Sequence, residues 1–196
     1  MTQSLTRVTL VTRVARTVSC ALLLWPLATV QAQTPQKLDL AKSEVAFTSK
    51  QMGVPVNGKF QRFDAQVAFD PQHAEASKAT ITIELASATM GVPESDAELP
   101  KAAWFNAVKF PQARFVSSAV KSLGEGRYQA TGRLTIKGSS QDIAVPFTVK
   151  QTGANTEATG SFTIKRLDFK IGEGEWADTS MVANDVQVRF KFNLVR

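Results

Sequence analysis

The stretch that decides the fold is DVQVRFKFNLV, residues 185–195. Its apolar residues fall on every second position: Val186, Val188, Phe190, Phe192 and Leu194. Successive side chains of a β-strand point to opposite faces, so this pattern predicts a strand with one apolar and one polar face. The apolar face can meet a packed core, a lipid bilayer or the inside of a cavity, and the pattern alone does not choose among them.

The same alternation recurs along the chain, in segments separated by turn residues. It is clearest in ATITIELAS (79–87), GRYQATGRLTIKG (126–138) and DIAVPFTV (142–149). About eight short strands with one apolar face predict an antiparallel barrel or sandwich. The further strand candidates are KLDL (37–40), EVAFTSK (44–50), GKFQRFDAQVAFD (58–70), ARFVSSAV (113–120) and GSFTIKRLDF (160–169).

One segment, VPESDAELPKAAWFNAVKFP (92–111), lacks the alternation. Ser95 and Glu98 have the spacing of a capping box, which favours a helix start. We expect one or two short helices between residues 94 and 107, with Leu99, Trp104 and Phe105 facing inward. In a barrel, such a segment can cover one end.

The first 32 residues have the pattern of a secretory signal peptide. A basic start with Arg7, Arg13 and Arg16 precedes an apolar run that ends in Val30-Gln31-Ala32. Small residues at these positions predict cleavage after Ala32, which leaves a domain of residues 33–196. The one cysteine, Cys20, lies in the predicted signal peptide, so the exported domain forms no disulfide. Export without disulfides favours a bacterial periplasm.

The charge balance and the scarcity of histidine exclude several classes of function. Without the signal peptide, 20 Lys and Arg face 17 Asp and Glu, which is not typical of a nucleic-acid-binding protein. The one histidine, His73, lies in a turn, so triad catalysis and a histidine metal site are not expected. The acid pairs Asp96 with Glu98 and Glu173 with Glu175 are interpreted as capping or solvent-facing residues. The chain is therefore predicted to be a binding protein with no enzymatic activity and no metal.

Two cations lie within strand-like segments beside apolar neighbours. These are Lys50, in FTSKQM, and Arg166, in FTIKRLDF. Each can point outward or form a buried pair, such as Arg166 with Asp168. Alternatively, each can lie near the mouth of a barrel and bind the polar head group of a ligand.

Several stretches together resemble the YceI-like family of periplasmic polyisoprenoid-binding proteins, from about Lys37 to Val195. The resemblance depends on the order and spacing of short motifs. They are the G-x-F pattern at Gly58 and Phe60, the helical-insert residues Asp96, Leu99, Trp104, Phe105, Phe110 and Pro111, the G-x-L-T-I-x-G segment at Gly132–Gly138, and the R-x-D-F strand at Arg166, Asp168 and Phe169.

The resemblance implies an eight-stranded antiparallel barrel of lipocalin type, with a cavity that holds an isoprenoid lipid as ligand and no other cofactor. Gln51, Ser95, Glu98 and Lys170 depart from residues that are frequent in the family. A neutral isoprenoid such as a quinone is therefore expected to fit at least as well as a polyprenyl diphosphate. The residues predicted to contact the ligand are Phe47, Phe60, Trp104, Phe105, Phe190 and Phe192 along the chain, with Lys50 and Arg166 near the polar end.

Three rival interpretations remain open at this point. A transmembrane barrel also has alternating strands, but it carries aromatic girdles, and Tyr128 is the one tyrosine of the sequence. A stress-response or partner-binding module would have a packed barrel core and no cavity. An enzyme acting on a bound lipid would need general bases that the sequence scarcely offers.

The loop GEGEWADTSMVAND, residues 172–185, is the predicted entrance or partner surface. Its acids and Trp176 suit a mobile flap, although a loop of this length can also simply connect two strands. The sequence also leaves open a homodimer and a transient contact with a membrane.

Overall fold

The strand predicted over 185–195 lies within a single antiparallel sheet of eleven strands. The computed structural model describes residues 36–195; the predicted signal peptide with Cys20, and Arg196, lie outside the described residues. The strands are β1 (Lys37–Leu38), β2 (Glu44–Gln51), β3 (Val54–Phe60), β4 (Phe63–Ala68), β5 (Lys78–Glu84), β6 (Ala88–Thr89), β7 (Gln112–Gly124), β8 (Arg127–Ile136), β9 (Ser139–Thr152), β10 (Asn155–Lys165) and β11 (Asp185–Val195).

The sheet curls into a barrel whose strands follow the order β4-β5-β7-β8-β9-β10-β11-β2-β3-β6. At one end of the barrel, β1 pairs with β11, and the backbone N–H of Gln36 donates to the carbonyl oxygen of Val67 in β4. These two contacts link β4 to β11 through the first residues of the described chain. The predicted all-β barrel of lipocalin type is confirmed.

In β11 the predicted alternation holds along the whole strand. Val186, Val188 and Phe190 are half-buried and Phe192 and Leu194 are buried, whereas the residues between them are mostly exposed. The strand pairs with β10 over its entire length and with β2 over Gln187–Lys191. Its apolar face therefore faces the interior of the barrel.

The predicted count of eight strands is slightly wrong, because the segment 58–70 forms two strands and not one. Strict alternation would place Phe60 and Phe63 on opposite faces, but both are half-buried. The chain bends at Gln61 and Arg62, whose backbone N–H groups donate to the carbonyl oxygen and the hydroxyl of Ser87. Nine strands have six or more residues, and β1 and β6 have two each.

The predicted helical insert contains one helix, α1 (Pro93–Glu98), followed by turns. Proline occupies its first turn, but Ser95 is not its N-cap, because the helix begins two residues earlier. Instead, the Asp96 carboxylate accepts hydrogen bonds from the backbone N–H of Met90 and the Thr89 hydroxyl. As predicted, Leu99 and Phe105 are buried. Within residues 36–195 no helix is long and apolar enough to span a membrane.

Five short 3-10 turns complete the described chain: Leu40–Lys42, Ala74–Ala76, Leu85–Ser87, Arg166–Phe169 and Gly174–Ala177. The fourth replaces the end of the strand predicted over 160–169. It redirects the chain, so that residues 171–183 lie across the end of the barrel that also carries the insert.

Inward-facing glycines let aromatic rings lie close to the sheet. Gly58 lies opposite Phe47, and Gly160 lies opposite Phe190. A Cβ at Gly58 would lie 2.3 Å from the Phe47 ring, and a Cβ at Gly160 would lie 2.6 Å from the Phe190 ring. Because these rings occupy the space of the missing side chains, they extend less far toward the centre of the barrel.

Alanine substitutions at Gly132 and Gly58 should destabilise the barrel to different degrees. At Gly132 a Cβ would lie 2.3 Å from the backbone oxygen of Val116, so a strand must move, at a cost of about 1–3 kcal/mol in the free energy of unfolding. At Gly58 the clash is with the end of the Phe47 ring, which can turn inward, so the loss should be smaller. Urea unfolding measures both, with the exposed Ser161→Ala as control, and an equal or reversed order would contradict the explanation.

Candidate ligand-binding cavity

The inside of the barrel contains two empty regions of about 1010 and 1380 Å³, counting the space at their openings. The inner cavity lies among Phe69, Phe147, Val149, Phe190 and Phe192. The loop-end cavity lies between the strands, the insert and the loop of residues 171–183. The two regions are adjacent, since they share the lining residues Val45, Ile83, Ala113, Leu134, Phe162 and Val188.

Seven of the eight predicted ligand-contacting residues line these cavities. Phe190 and Phe192 line the inner cavity, and the other five line the loop-end cavity: Phe47, Phe60, Trp104, Phe105 and Arg166. Phe60 joins two of them, with ring centroids 5.5 Å from Phe47 and 5.9 Å from Phe105. Their contact with a ligand stays a prediction.

Lys50 is the exception, since it lines neither cavity and its side chain is exposed. The inward positions of β2 are Val45, Phe47, Ser49 and Gln51, so the pleat turns Lys50 to the outer face. The interpretation of Lys50 as an outward cation agrees with this position, and its placement near a head group does not.

Arg166 is almost completely buried, with 1% of its surface exposed, and it hydrogen-bonds to backbone carbonyl oxygens. Nε donates to Ala183 at 3.1 Å. Nη1 donates to Ile171 and Gly172, and Nη2 donates to Trp176 and Val182, at 2.6 to 2.9 Å. All five N–H donors of the guanidinium are therefore used within the protein.

This arrangement contradicts all three interpretations of Arg166: as an outward cation, as the partner of Asp168 and as a contact of a ligand head group. The side chain of Asp168 is exposed, and no ion pair between Arg166 and a carboxylate is found among the described residues. Arg166 also has no N–H left for a ligand head group. Burial lowers the pKa of the guanidinium, and the surrounding carbonyl dipoles favour its positive charge. Its role is to fix the loop of residues 171–183 against the barrel.

Lys137 performs a similar task and was missed in the sequence. It lies with Gly138 in the two-residue turn between β8 and β9, and both residues have positive φ. Its Nζ donates to the carbonyl oxygens of Ala102 and Lys170 and to the carboxylate of Glu173, at 2.6 to 2.8 Å. A buried lysine thus joins the hairpin, the insert and the loop. The sequence offers one clue, the glycine that follows Lys137 between two alternating segments.

The insert and the loop also meet through their tryptophans. The rings of Trp104 and Trp176 lie 5.5 Å apart, and both residues line the loop-end cavity. Gly172 packs beside them, since a Cβ there would lie 3.3 Å from the Trp104 ring and 2.3 Å from Arg166 Nη1. The backbone N–H of Gly172 donates to Ala103. The loop predicted as an entrance therefore does lie over the cavity, while its mobility stays a prediction.

Three of the four acidic residues considered for catalysis have structural contacts, and the fourth, Glu175, is exposed. Asp96 binds Met90 and Thr89, Glu98 accepts from Lys101, and Glu173 accepts from Lys137. His73 is exposed and lies 3.1 Å from Asp70. Among residues 36–195 there is no group of three or more His, Cys, Asp and Glu placed to bind a metal.

Comparison with known proteins identifies relatives across nearly all of the described chain. The family model for the YceI-like domain matches residues 36–194. A UPF0312 protein of Photorhabdus laumondii is 33% identical over 125 residues, which are 60% of this chain and 65% of that protein. A UPF0312 protein of Pseudomonas putida is 32% identical over 68% of this chain and 64% of its own length. The chain thus spans slightly less than two thirds of these relatives.

Solved structures share the fold. BcnA of Burkholderia cenocepacia is 46% identical with a TM-score of 0.79, covering 80% of this chain and 99% of that one. The YCEI protein of Campylobacter jejuni is 26% identical with a TM-score of 0.67, over 72% and 85% of the two chains. A polyisoprenoid-binding domain from Saccharophagus degradans is 15% identical with a TM-score of 0.65, over 84% and 99%. At that identity the last shows the fold alone.

Replacing Arg166 with lysine should destabilise the loop end of the barrel. Lysine has three donors, so at least two of the five carbonyl oxygens lose their partner, at a cost of roughly 2–5 kcal/mol in the free energy of unfolding. Urea unfolding gives the loss, and amide hydrogen exchange should quicken in residues 171–183. The neighbouring Lys165→Met, on the exposed face, should change neither measurement. Slow exchange retained in Arg166→Lys would contradict this role.

Glu173 should make stability depend on acid pH. The hydrogen bond from Lys137 lowers the pKa of the Glu173 carboxyl below its ordinary value. Its stabilisation is therefore present above the unfolded-state pKa and is lost as the pH falls through the folded-state value. Between about pH 5 and about pH 3, the melting temperature of wild type should fall more than that of Glu173→Gln. The exposed Glu175→Gln should follow wild type, and parallel curves for all three proteins would contradict the link to Lys137.

Proposed function

Because the chain belongs to the YceI-like family and its barrel encloses two adjacent apolar cavities, we propose that it binds the hydrocarbon chain of an isoprenoid lipid along both of them. The observation that carries this proposal is the adjacency of the two cavities, which share six lining residues. A single short cavity would suit a compact ligand, whereas two adjacent cavities suit a long chain.

The chemistry of the wall supports a hydrocarbon ligand. The inner cavity is lined mainly by aliphatic and aromatic side chains, and its cations Lys78 and Arg114 lie on exposed, outward positions of their strands. Each buried methylene contributes about 0.8 kcal/mol, so a long chain can bind without a charged contact. The polyisoprenoid-binding domain of Saccharophagus shows that a chain of this fold can serve as a lipid-binding domain.

The polar groups of the loop-end cavity favour an uncharged head group. Its charged lining residues in the described chain are Arg166 and Glu98. Arg166 has no free donor, and Glu98 would repel a phosphate. We therefore favour an isoprenoid quinone over a polyprenyl diphosphate as cargo, carried or stored in the periplasm without catalysis.

An exposed apolar rim beside the loop-end cavity supports a transient membrane contact during loading. Met52, Val54 and Met181 are exposed, and they are adjacent in sequence or pairing to the cavity-lining Gln51 and Val182. Apolar side chains at this edge can enter the surface of a bilayer. A homodimer stays a prediction.

Native mass spectrometry of protein purified from a bacterial periplasm, followed by organic extraction, tests the proposal. A stoichiometric isoprenoid in the extract would support it and would identify the head group. A ligand-free mass that does not change on incubation with quinones or polyprenyl lipids would favour the alternative of a partner-binding module whose barrel holds no lipid.

Blocking the junction of the two cavities should select against long ligands. Val188 lines both cavities, so Val188→Trp should divide the interior. We expect the affinity for a quinone with a long isoprenoid tail to fall at least tenfold, while a quinone with a one- or two-unit tail still binds.

The matched control is Gln187→Trp, which places the same side chain on the exposed face of the same strand. Circular dichroism confirms folding of both variants, and quenching of intrinsic fluorescence reports binding. If Val188→Trp loses the same affinity for long-tailed and short-tailed quinones, binding along the two cavities is contradicted.

A further inference from the structure

Two residues that line the loop-end cavity each carry a buried polar atom with no hydrogen-bond partner. These atoms are the Ser49 hydroxyl oxygen and Trp104 Nε1. In residues 36–195 the other side-chain atoms of this kind belong to Gln36, which lines neither cavity. Buried polar groups are nearly always hydrogen-bonded in folded proteins, so an unpaired pair on one cavity wall points to a partner that binds there.

The backbone fixes Ser49 at this end of the cavity. It lies on the inward face of β2 between Phe47 and Gln51, and it pairs with Val56 of β3. Just beyond it, the carbonyl oxygen of Lys50 accepts a hydrogen bond from the backbone N–H of Ala183. The loop that Arg166 holds is therefore attached to β2 next to Ser49.

Trp104 belongs to the insert and lines the same cavity. Its ring is held by Trp176 and by the close packing at Gly172. Lys137 bonds the carbonyl oxygen of Ala102, two residues earlier in the chain. The indole is thus placed by three separate elements, yet its N–H remains unpaired.

The two atoms define the chemistry of their partner. Indole N–H is a donor only, so it needs an acceptor, whereas a serine hydroxyl can donate or accept. Neither group carries charge. The one carboxylate of this cavity lining, Glu98, already accepts from Lys101. Because neither group supplies a positive charge and Glu98 would repel an anion, the pair favours an uncharged oxygen as its partner.

We propose that Ser49 and Trp104 form the hydrogen-bonding site for the head group of the bound lipid, and that this head group presents a neutral carbonyl or hydroxyl oxygen. The proposal rests on the proposed isoprenoid binding and adds where the polar end lies and what binds it. The lipid then enters with its tail toward the inner cavity and its head between the insert and β2.

The test compares ligands that share a tail and differ in the head: an isoprenoid quinone, the polyprenol, the polyprenyl diphosphate and the hydrocarbon without oxygen. The variants are Ser49→Ala and Trp104→Phe, which remove the polar atom and keep most of the side-chain volume. Each substitution should lower the affinity for the quinone or the polyprenol by about threefold to tenfold and leave the affinity for the hydrocarbon unchanged. Ser161→Ala, on the exposed face of β10, should bind every ligand like wild type.

A second measurement separates ligand binding from a structural role. Because its hydroxyl is unpaired without ligand, ligand-free Ser49→Ala should melt at the same temperature as wild type or higher. Tighter binding of the quinone or of the polyprenol identifies the oxygen as carbonyl or hydroxyl.

The proposal is overturned if the variants lose as much affinity for the hydrocarbon as for the quinone, or if their affinity for both oxygen-bearing lipids is unchanged. It is also overturned if wild type binds the diphosphate more tightly than the uncharged lipids. Wild type that binds none of the four ligands would overturn the proposed function as well. Equal binding of all four by every protein would leave isoprenoid binding intact and overturn the head-group site.

Discussion

The loop end of this barrel depends on one buried cation that bonds to backbone oxygens and not to a carboxylate. Residues 171–183 lie across the cavity without belonging to a strand for most of their length, so their carbonyl groups have few partners in the sheet. Arg166 supplies partners to five of them at once. Arginine suits this task because its planar guanidinium presents five donors in fixed directions, and lysine cannot match that geometry.

A second buried cation, Lys137, fixes the insert in the same way, by donating to protein oxygens. It bonds one carbonyl of the insert, one next to the Arg166 turn, and the Glu173 carboxylate of the loop. With these contacts made, the two tryptophans can form part of the cavity wall without themselves holding the structure together. The polar atoms of that wall are therefore available for a ligand, and the cations are not.

The sequence predicted the fold because the fold depends on a pattern that repeats along the chain. Alternation in residues 185–195 predicted β11 with its inward face, and all six aromatic candidates line the cavity. Residues that depend on a local break in the pattern were harder to place. Lys50 was assigned to the cavity although the pleat turns it outward, and the bend at Gln61 lets Phe60 and Phe63 face the same side.

Arg166 shows a different limit of sequence reasoning. Its motif identified it as important. However, a cation in an apolar segment can bind a carboxylate, a ligand or backbone carbonyl groups, and the sequence pattern is the same in all three cases. Only the path of residues 171–183 decides among them, and that path follows from the turn at Arg166–Phe169, which the alternation predicted as strand. Ser49 was not singled out at all, since a serine among inward residues of β2 looks like a neutral interruption.

The distribution of charge links stability to the choice of cargo. A diphosphate would need unpaired cations at the loop end, yet Arg166 and Lys137 are already committed to protein oxygens. To release either for a ligand would leave buried carbonyl groups unpaired, at a cost similar to what the new contact contributes. Neutral donors such as the Ser49 hydroxyl and the Trp104 indole carry no such conflict. Under the proposed lipid binding, a barrel closed by buried cations is thus expected to select uncharged lipids.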